Sequence, residues 1–133
     1  ARRVTAAMRA GEPCGPLAGV PVTIKDLVFV AGVPAYAGSP MNRSFVPDAD
    51  AAVVSALRGA GAIITCKTTT CESGYKLTAD SPVTGLTRNP WNPAHTSGGS
   101  SGGAAAAVAA DSTRLLRQSP PAIELPVTKC TAG

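Results

Sequence analysis

The order strand, helix, strand in the first half of this chain constrains its fold more than any other feature. The segment GVPVTIKDLVFV, residues 19–30, places apolar side chains at every second position from Val20 to Ile24, which predicts extended chain. The segment AGAIITCKT, residues 60–68, contains the continuous apolar run Ala62–Ile64, which predicts a buried strand.

A helix is predicted between these two strands, from a cap at Asp48 or Asp50 to about Leu57 or Arg58. Ala51, Val54 and Leu57 fall on one face of that helix. A strand, a helix and a second strand in this order are typical of parallel strand pairing. The pattern therefore predicts an α/β fold with a mixed β-sheet flanked by helices.

Composition argues against several classes of protein. Aromatic residues make up only 4% of the chain and the net charge is +4, so a nucleic-acid partner is not expected. Apolar runs stay well short of the roughly 20 residues that span a bilayer, so a membrane partner is not expected either. The four cysteines lack CxxC spacing, and His95 is the single histidine beside them. With no signal-peptide pattern, we expect a cytoplasmic protein with reduced cysteines, no metal and no cofactor.

Residues 81–103 are predicted to be a long irregular segment, which in a compact domain is usually functional or mobile. It ends in the small residues Ser97–Gly102, directly before a predicted alanine-rich helix over Gly103–Ala110. The glycines lack the spacing of the phosphate-binding loops, GxxxxGK[ST] and GxGxxG. The remaining use is an active site in which small residues let a substrate approach Ser100 and Ser101.

A serine needs a base to become a nucleophile, and the sequence offers two candidates. His95 lies on the same loop, where a histidine is more often a surface residue. Lys25 ends the first predicted strand, and Asp26 should point to the opposite face of that strand. On residue chemistry alone, an exposed strand-end lysine is the simpler interpretation of Lys25.

Four blocks of the chain resemble the amidase signature family, in the same order and with matching spacing. They are GPLAGVPVTIKDLVFVAGVPAYAGS, DADAAVVSALRGAGAIITCKTTTCESG, SPVTGLTRNPWNP and SGGSSGGAAAAVAA, which together cover about residues 11–110. The resemblance implies a partial amidase-signature fold and hydrolysis of carboxylic amides to an acid and ammonia or an amine through a Ser-Ser-Lys triad. It assigns Lys25 as the catalytic lysine and Ser100 as the bridging serine, held with a cis peptide bond. Gly98, Gly99 and Ser101 are expected to bind the substrate.

In the relay that this resemblance implies, Lys25 is buried and uncharged and takes a proton from Ser100. Ser100 takes a proton from the nucleophilic serine, which attacks the amide carbonyl, and the relay later returns a proton to the leaving amine. The implied partner is a small-molecule amide, and the parent protein could form a homodimer.

The last part of the chain departs from the family pattern. The family's nucleophile lies in a second glycine-rich block, of the type GTDxGGS, but no glycine occurs between Gly103 and Gly133, and the expected position near Glu124 holds no serine. We therefore predict two parts, residues 1–110 as the N-terminal part of the domain and residues 111–133 as a divergent tail. Without the nucleophile block, we expect the chain to be inactive by this mechanism. Because the chain also begins within a predicted helix and without Met, we expect it to be truncated.

Two alternatives remain open. The chain could resemble the A subunit of glutamyl-tRNA(Gln) amidotransferase, although the block KTTTCESGYKLTADSPVTG is more similar to the broad amidases. It could also be a non-catalytic binding remnant whose tail contacts a partner.

Overall fold

The structure, a computed structural model, describes residues 2–110. The predicted divergent tail, with the position near Glu124, lies outside the described residues. The described chain contains three helices, six strands and two short 3₁₀ turns. In chain order the helices and strands are α1 (Arg2–Arg9), β1 (Pro21–Lys25), α2 (Ala52–Gly59), β2 (Ile63–Thr68), β3 (Asp80–Ser81), β4 (Gly85–Leu86), β5 (Arg88–Asn89), β6 (Asn92–Thr96) and α3 (Gly102–Ala109).

Strands β1 and β2 pair in parallel, with α2 as their crossover, which confirms the predicted strand–helix–strand unit. Their register runs from Pro21 beside Ile63 to Lys25 beside Thr68. Thr65 is an extra residue in this register, and its hydroxyl donates to the carbonyl oxygen of Val22 at 3.1 Å. Both strands end at the same edge of the pair, so Lys25 lies close to the residues that follow Thr68.

The end of β1 and the burial of β2 differ from the sequence prediction. The predicted extended segment stops at Lys25 rather than continuing to Val30, because a turn begins there and the Val28 amide donates to the Lys25 carbonyl at 2.8 Å. In β2 the apolar Ile63 and Ile64 are only partly buried, whereas the polar end of the strand is buried. The buried part of β2 therefore lies later than the apolar run predicted, at Cys66, Lys67 and Thr68.

The helix α2 carries its apolar face as predicted. Val54 is fully buried in a cluster with Ile24 and Val30, and Ala51 and Leu57 pack against that cluster. This one-sided burial secures the crossover helix against the parallel pair.

The predicted cap of α2 is wrong. Ala51 occupies the cap position and makes no side-chain capping bond. The Asp50 carboxylate has other partners, since it accepts from the Ala31 amide at 2.7 Å and from Arg58 Nε at 2.8 Å. A carboxylate that already binds the Ala31 amide and the Arg58 side chain of α2 is not free to cap the first turn of that helix.

The segment predicted as irregular contains short regular pieces. Strands β3 and β4 pair antiparallel, and β5 and β6 form a second antiparallel pair around Trp91. The side-chain carbonyls of Asn89 and Asn92 accept from backbone amides two residues further on, at 2.9 and 3.1 Å. The pattern missed β3, β4 and β5 because two residues are too short to show an alternation, and it missed β6 because that strand is mostly exposed and lacks an alternating apolar face.

Helix α3 packs against both strands of the parallel pair. Its buried residues are all small, Gly102, Gly103, Ala106 and Ala107, which lets the helix backbone approach the strands closely. This confirms the predicted alanine-faced helix, one residue earlier than expected. Parallel and antiparallel pairing with flanking helices confirms the α/β class, here as three two-stranded sheets within residues 2–110. None of the helices in this described part is long and apolar enough to cross a bilayer.

Candidate active site

The amine of Lys25 contacts both serines of the glycine-rich loop. Its Nζ lies 2.7 Å from Ser100 Oγ and 3.0 Å from Ser101 Oγ, across 75 and 76 positions of sequence. Lys25 is the last residue of β1, so the strand carries its side chain to the edge where the loop lies. The structure thus brings together the three side chains that the sequence analysis singled out.

Lys25 is neither fully buried nor fully exposed. Its side chain is partly exposed within the described residues, and the Ser101 hydroxyl that it contacts is exposed as well. Within the described residues Lys25 is thus partly buried, and complete burial of its amine stays a prediction.

The loop before α3 owes its path to its small residues. The peptide bond between Gly99 and Ser100 is cis, as the resemblance implies, and Gly98 has a φ of +75°, which a residue with a side chain rarely adopts. A Cβ on Gly99 would stand 2.6 Å from the backbone carbon of Thr78, so only glycine fits there without movement. The glycines thus permit a close backbone approach, while Gly98 and Gly99 as substrate contacts stay a prediction.

The residues directly after β2 form hydrogen bonds with this loop and with the start of α3. Thr70 is 1% exposed, and its Oγ1 donates to the carbonyl oxygen of Ser100 at 3.0 Å. The carbonyl oxygen of Thr69 accepts from the amide of Gly103 at 3.3 Å. Sequence reasoning missed both contacts. The available signal was the threonine run directly after a predicted strand, since parallel strands end at a shared edge.

A buried ion pair lies beside the site and was also missed. Lys67 Nζ stands 3.2 Å from Asp26 Oδ1 and 3.4 Å from the Asp26 carbonyl oxygen, with side chains that are 3% and 6% exposed. The approach to Oδ1 is an ion-pair contact without hydrogen-bond geometry. The Asp26 carboxylate therefore pairs with Lys67 from the turn after β1 and, as predicted, does not hold Lys25 in an ion pair, which leaves the Lys25 amine to the serines.

An exposed polar network borders the loop on the Thr78 side. The Asp80 carboxylate accepts from the Thr78 hydroxyl and from Lys76 Nζ, the latter at 3.0 Å. The hydrogen bond from Thr78, followed by that from Lys76, lowers the pKa of Asp80 below its ordinary value. The hydrogen bond to Asp80 is the main cause that raises the pKa of Lys76.

The histidine and the described cysteines differ in their exposure to solvent. His95 is exposed on β6, as a surface residue should be. Among residues 2–110, no three His, Cys, Asp or Glu side chains gather as metal ligands do. Cys14 is exposed and Cys71 is buried, both as thiols.

An amine beside two hydroxyls can move a proton between them. Lys25 can take a proton from Ser100 when its amine is uncharged, and Ser100 can then act as a base toward a third hydroxyl. This arrangement needs no metal ligand and no bound cofactor to carry the proton.

Comparison with known proteins assigns the family. A family model described as Amidase matches residues 1–115. The chain belongs to the amidase family. An amidase of Gibberella zeae, FG08078, is 48% identical over 89 residues, which cover 67% of this chain and 16% of that protein. The A subunit of the glutamyl-tRNA(Gln) amidotransferase of Rhodopirellula baltica is 46% identical over 99 residues, 74% of this chain and 20% of that protein.

Solved amidase structures share the fold. The native peptide amidase of Stenotrophomonas maltophilia matches with a TM-score of 0.78 and 38% identity, over 84% of this chain and 24% of that chain. The chain spans about a fifth or less of the length of these two curated relatives. The described residues thus correspond to a limited part of an amidase, and that part contains the contact between Lys25 and Ser100.

Proposed function

We propose that this chain supplies the lysine and the bridging serine of a relay that hydrolyses carboxylic amides. One observation carries the proposal: Lys25 Nζ lies 2.7 Å from Ser100 Oγ although 75 positions separate the two residues. A hydroxyl that a lysine amine holds at this distance is ready for proton transfer.

The proposed reaction proceeds through an acyl-enzyme. Lys25 takes a proton from Ser100, and Ser100 takes a proton from a nucleophilic serine, whose oxygen bonds to the amide carbonyl carbon. The carbon–nitrogen bond breaks as the relay returns a proton to the leaving amine, and water then releases the acid in a second cycle. In this scheme Gly98, Gly99 and Ser101 contact the substrate, and the site uses neither a metal nor a cofactor.

The substrate class follows from what the family members share. Relatives of this chain include proteins named acylamidase and indoleacetamide hydrolase, 46% and 48% identical over the matched residues. Both names describe cleavage of an amide, so a small carboxylic amide is the proposed substrate. A cytoplasmic location and a homodimer of the parent protein are further proposals.

The nucleophile is proposed to come from outside residues 1–110. Residues 111–133 lack the glycine-rich block in which the resemblance places it, and we propose that they form a divergent tail. The 133-residue chain alone should therefore release no ammonia from amides above the background rate.

A grafting experiment tests the relay separately from the missing nucleophile. Residues 11–110 would replace the matching segment of the Stenotrophomonas maltophilia peptide amidase, and ammonia release from a peptide amide would be measured. We expect an active chimera in which Lys25→Ala or Ser100→Ala lowers kcat by roughly 10²–10⁴-fold, the usual effect of losing a general base. The double variant should lose little more, because members of one relay act as a unit.

His95→Ala and Lys76→Ala are the matched controls. Both side chains are exposed, and neither takes part in the contact between Lys25 and Ser100. Each control chimera should therefore keep most of its activity. Full activity in a folded Lys25→Ala chimera would remove the proposed role of this lysine.

The A subunit of an amidotransferase is the second candidate. Relatives with this name align over 99 residues, somewhat longer than the 89 residues matched by the Gibberella zeae amidase. A chimera built on an amidotransferase of this kind separates the two. If residues 11–110 support activity there but not in the peptide amidase, the second candidate is favoured.

A further inference from the structure

The buried residue Thr70 contacts the serine that accepts from Lys25. It lies two residues beyond the end of β2 and is 1% exposed. Its hydroxyl donates to the carbonyl oxygen of Ser100 at 3.0 Å, across 30 positions of sequence. The segment that follows β2, the strand paired with the Lys25 strand, therefore also reaches Ser100, through a side chain.

Backbone contacts hold the loop on both sides of Ser100. Gly99 lies against the backbone of Thr78, and the Gly103 amide donates to Thr69 at 3.3 Å. The Thr70 contact differs from these, because it reaches the peptide group of Ser100 itself.

The direction of the Ser100 side chain depends on that peptide group. The carbonyl carbon and Cβ of a residue are both bonded to Cα, so holding the carbonyl oxygen limits rotation about the Cα–C bond and restricts the direction of Cα–Cβ. The Ser100 Oγ so directed lies 2.7 Å from Lys25 Nζ. Loss of the Thr70 hydroxyl would leave the Ser100 carbonyl without this partner and free to turn toward another.

We infer that Thr70 is a positioning residue, which keeps Ser100 Oγ against Lys25 by holding the Ser100 carbonyl. Its catalytic meaning rests on the proposed amide hydrolysis, but the contact itself can be tested without turnover. The two sides of the relay are then set by the ends of the two parallel strands. Lys25 ends β1, and Thr70 follows β2.

The test measures how fast the Lys25 amine reacts in the 133-residue chain. An acetyl succinimidyl ester would label the lysines, and peptide mass spectrometry would give a rate for each. Thr70→Val removes the hydroxyl and keeps the shape of the side chain, whereas Thr70→Ser keeps the hydroxyl. We expect Lys25 to be labelled roughly five-fold faster in Thr70→Val, about the effect of losing one ordinary hydrogen bond, and at the original rate in Thr70→Ser. The exposed Lys76 is the internal reference and should not change.

A double-variant cycle shows whether Thr70 acts through Ser100. Ser100→Ala should itself accelerate the labelling of Lys25, and adding Thr70→Val should then have no further effect. Additive effects of the two substitutions would overturn the inference.

Three further results would also overturn it. The first is equal labelling of Lys25 in the Thr70→Val variant and the original chain. The second is a Thr70→Ser variant that behaves like Thr70→Val. The third is a loss of folding, by circular dichroism, in both Thr70→Val and Thr70→Ala, which would make Thr70 a purely structural residue.

The labelling experiment tests the positioning role of Thr70 separately from the proposed function. An inactive chimera would contradict amide hydrolysis and leave the labelling rates unchanged. An active chimera with no effect of Thr70 on Lys25 would contradict only the positioning role.

Discussion

Lys67 and Asp26 form an ion pair that is almost completely withdrawn from water, 3.2 Å between Nζ and Oδ1. Asp26 directly follows Lys25, and Lys67 lies in β2. The pair therefore joins the ends of the two parallel strands on the side away from the serines. Lys25 remains on the other side, with the two hydroxyls as its partners.

Removing one partner of this pair should destabilise the chain strongly. Asp26→Asn or Lys67→Met would each leave the other charge buried without a counter-charge, at a cost of about 3–5 kcal/mol. Urea unfolding followed by circular dichroism would measure the change in the free energy of unfolding.

The double variant Asp26→Asn/Lys67→Met should be less destabilised than the sum of the two singles, because neither charge remains. Lys76→Met, at an exposed lysine, is the control and should leave the urea midpoint unchanged. Strictly additive losses would contradict a direct interaction between Asp26 and Lys67.

Gly99→Ala should destabilise the loop by about 1–3 kcal/mol, as overpacking usually does. The new methyl group would stand 2.6 Å from the Thr78 backbone, which cannot turn away as a side chain could. Thermal unfolding would measure the loss. Gly59→Ala, in α2 with no atom within 4 Å of the new Cβ, is the matched control and should be neutral or slightly stabilising. Equal unfolding temperatures for the two variants would show that the backbone does not approach Gly99 as described.

The Asp80 network should lose its hydrogen bonds at both ends of the pH scale. The pKa of Asp80 is lowered in the folded chain. Its contribution to stability is therefore present above the ordinary carboxyl pKa and is lost as pH falls through the lower folded pKa. The pKa of Lys76 is raised in the folded chain. Its contribution to stability is therefore present below the ordinary lysine pKa and is lost as pH rises through the higher folded pKa. The network should thus be intact from about pH 5 to about pH 9.

Carbon-13 NMR titration of the Asp80 carboxyl group would check this directly. Thr78→Val removes the largest cause of the shift and should return the Asp80 pKa toward its ordinary value. An unchanged titration in that variant would show that the Thr78 hydroxyl does not bind the carboxylate.

Cys14 should react with iodoacetamide much faster than Cys71, roughly a hundred-fold or more. Cys14 is exposed, whereas Cys71 is fully buried and its sulfur accepts from the Lys76 amide at 3.1 Å. Reaction at Cys71 therefore requires local opening of the 71–76 turn. Peptide mass spectrometry would follow each site, and similar rates would contradict the burial of Cys71.

Local patterns in the sequence determined the main elements of this protein. Alternation predicted β1, one-sided apolar spacing predicted α2, and the alanine run after the glycines predicted α3 within one residue. These features depend on residues a few positions apart, and such local spacing can be read directly from the sequence. The cap of α2 was predicted wrongly because Asp50 bonds to Ala31 and Arg58 instead.

The role of Lys25 was accessible from the family resemblance and not from residue chemistry, which favoured an exposed strand-end lysine. The tertiary structure alone decided that its amine reaches Ser100, that Asp26 turns to Lys67, and that Thr70 holds the Ser100 carbonyl. These contacts join positions 75, 41 and 30 residues apart. No periodicity connects such positions, because they meet only when two parallel strands end at one edge and the small residues of α3 let the loop pack against it.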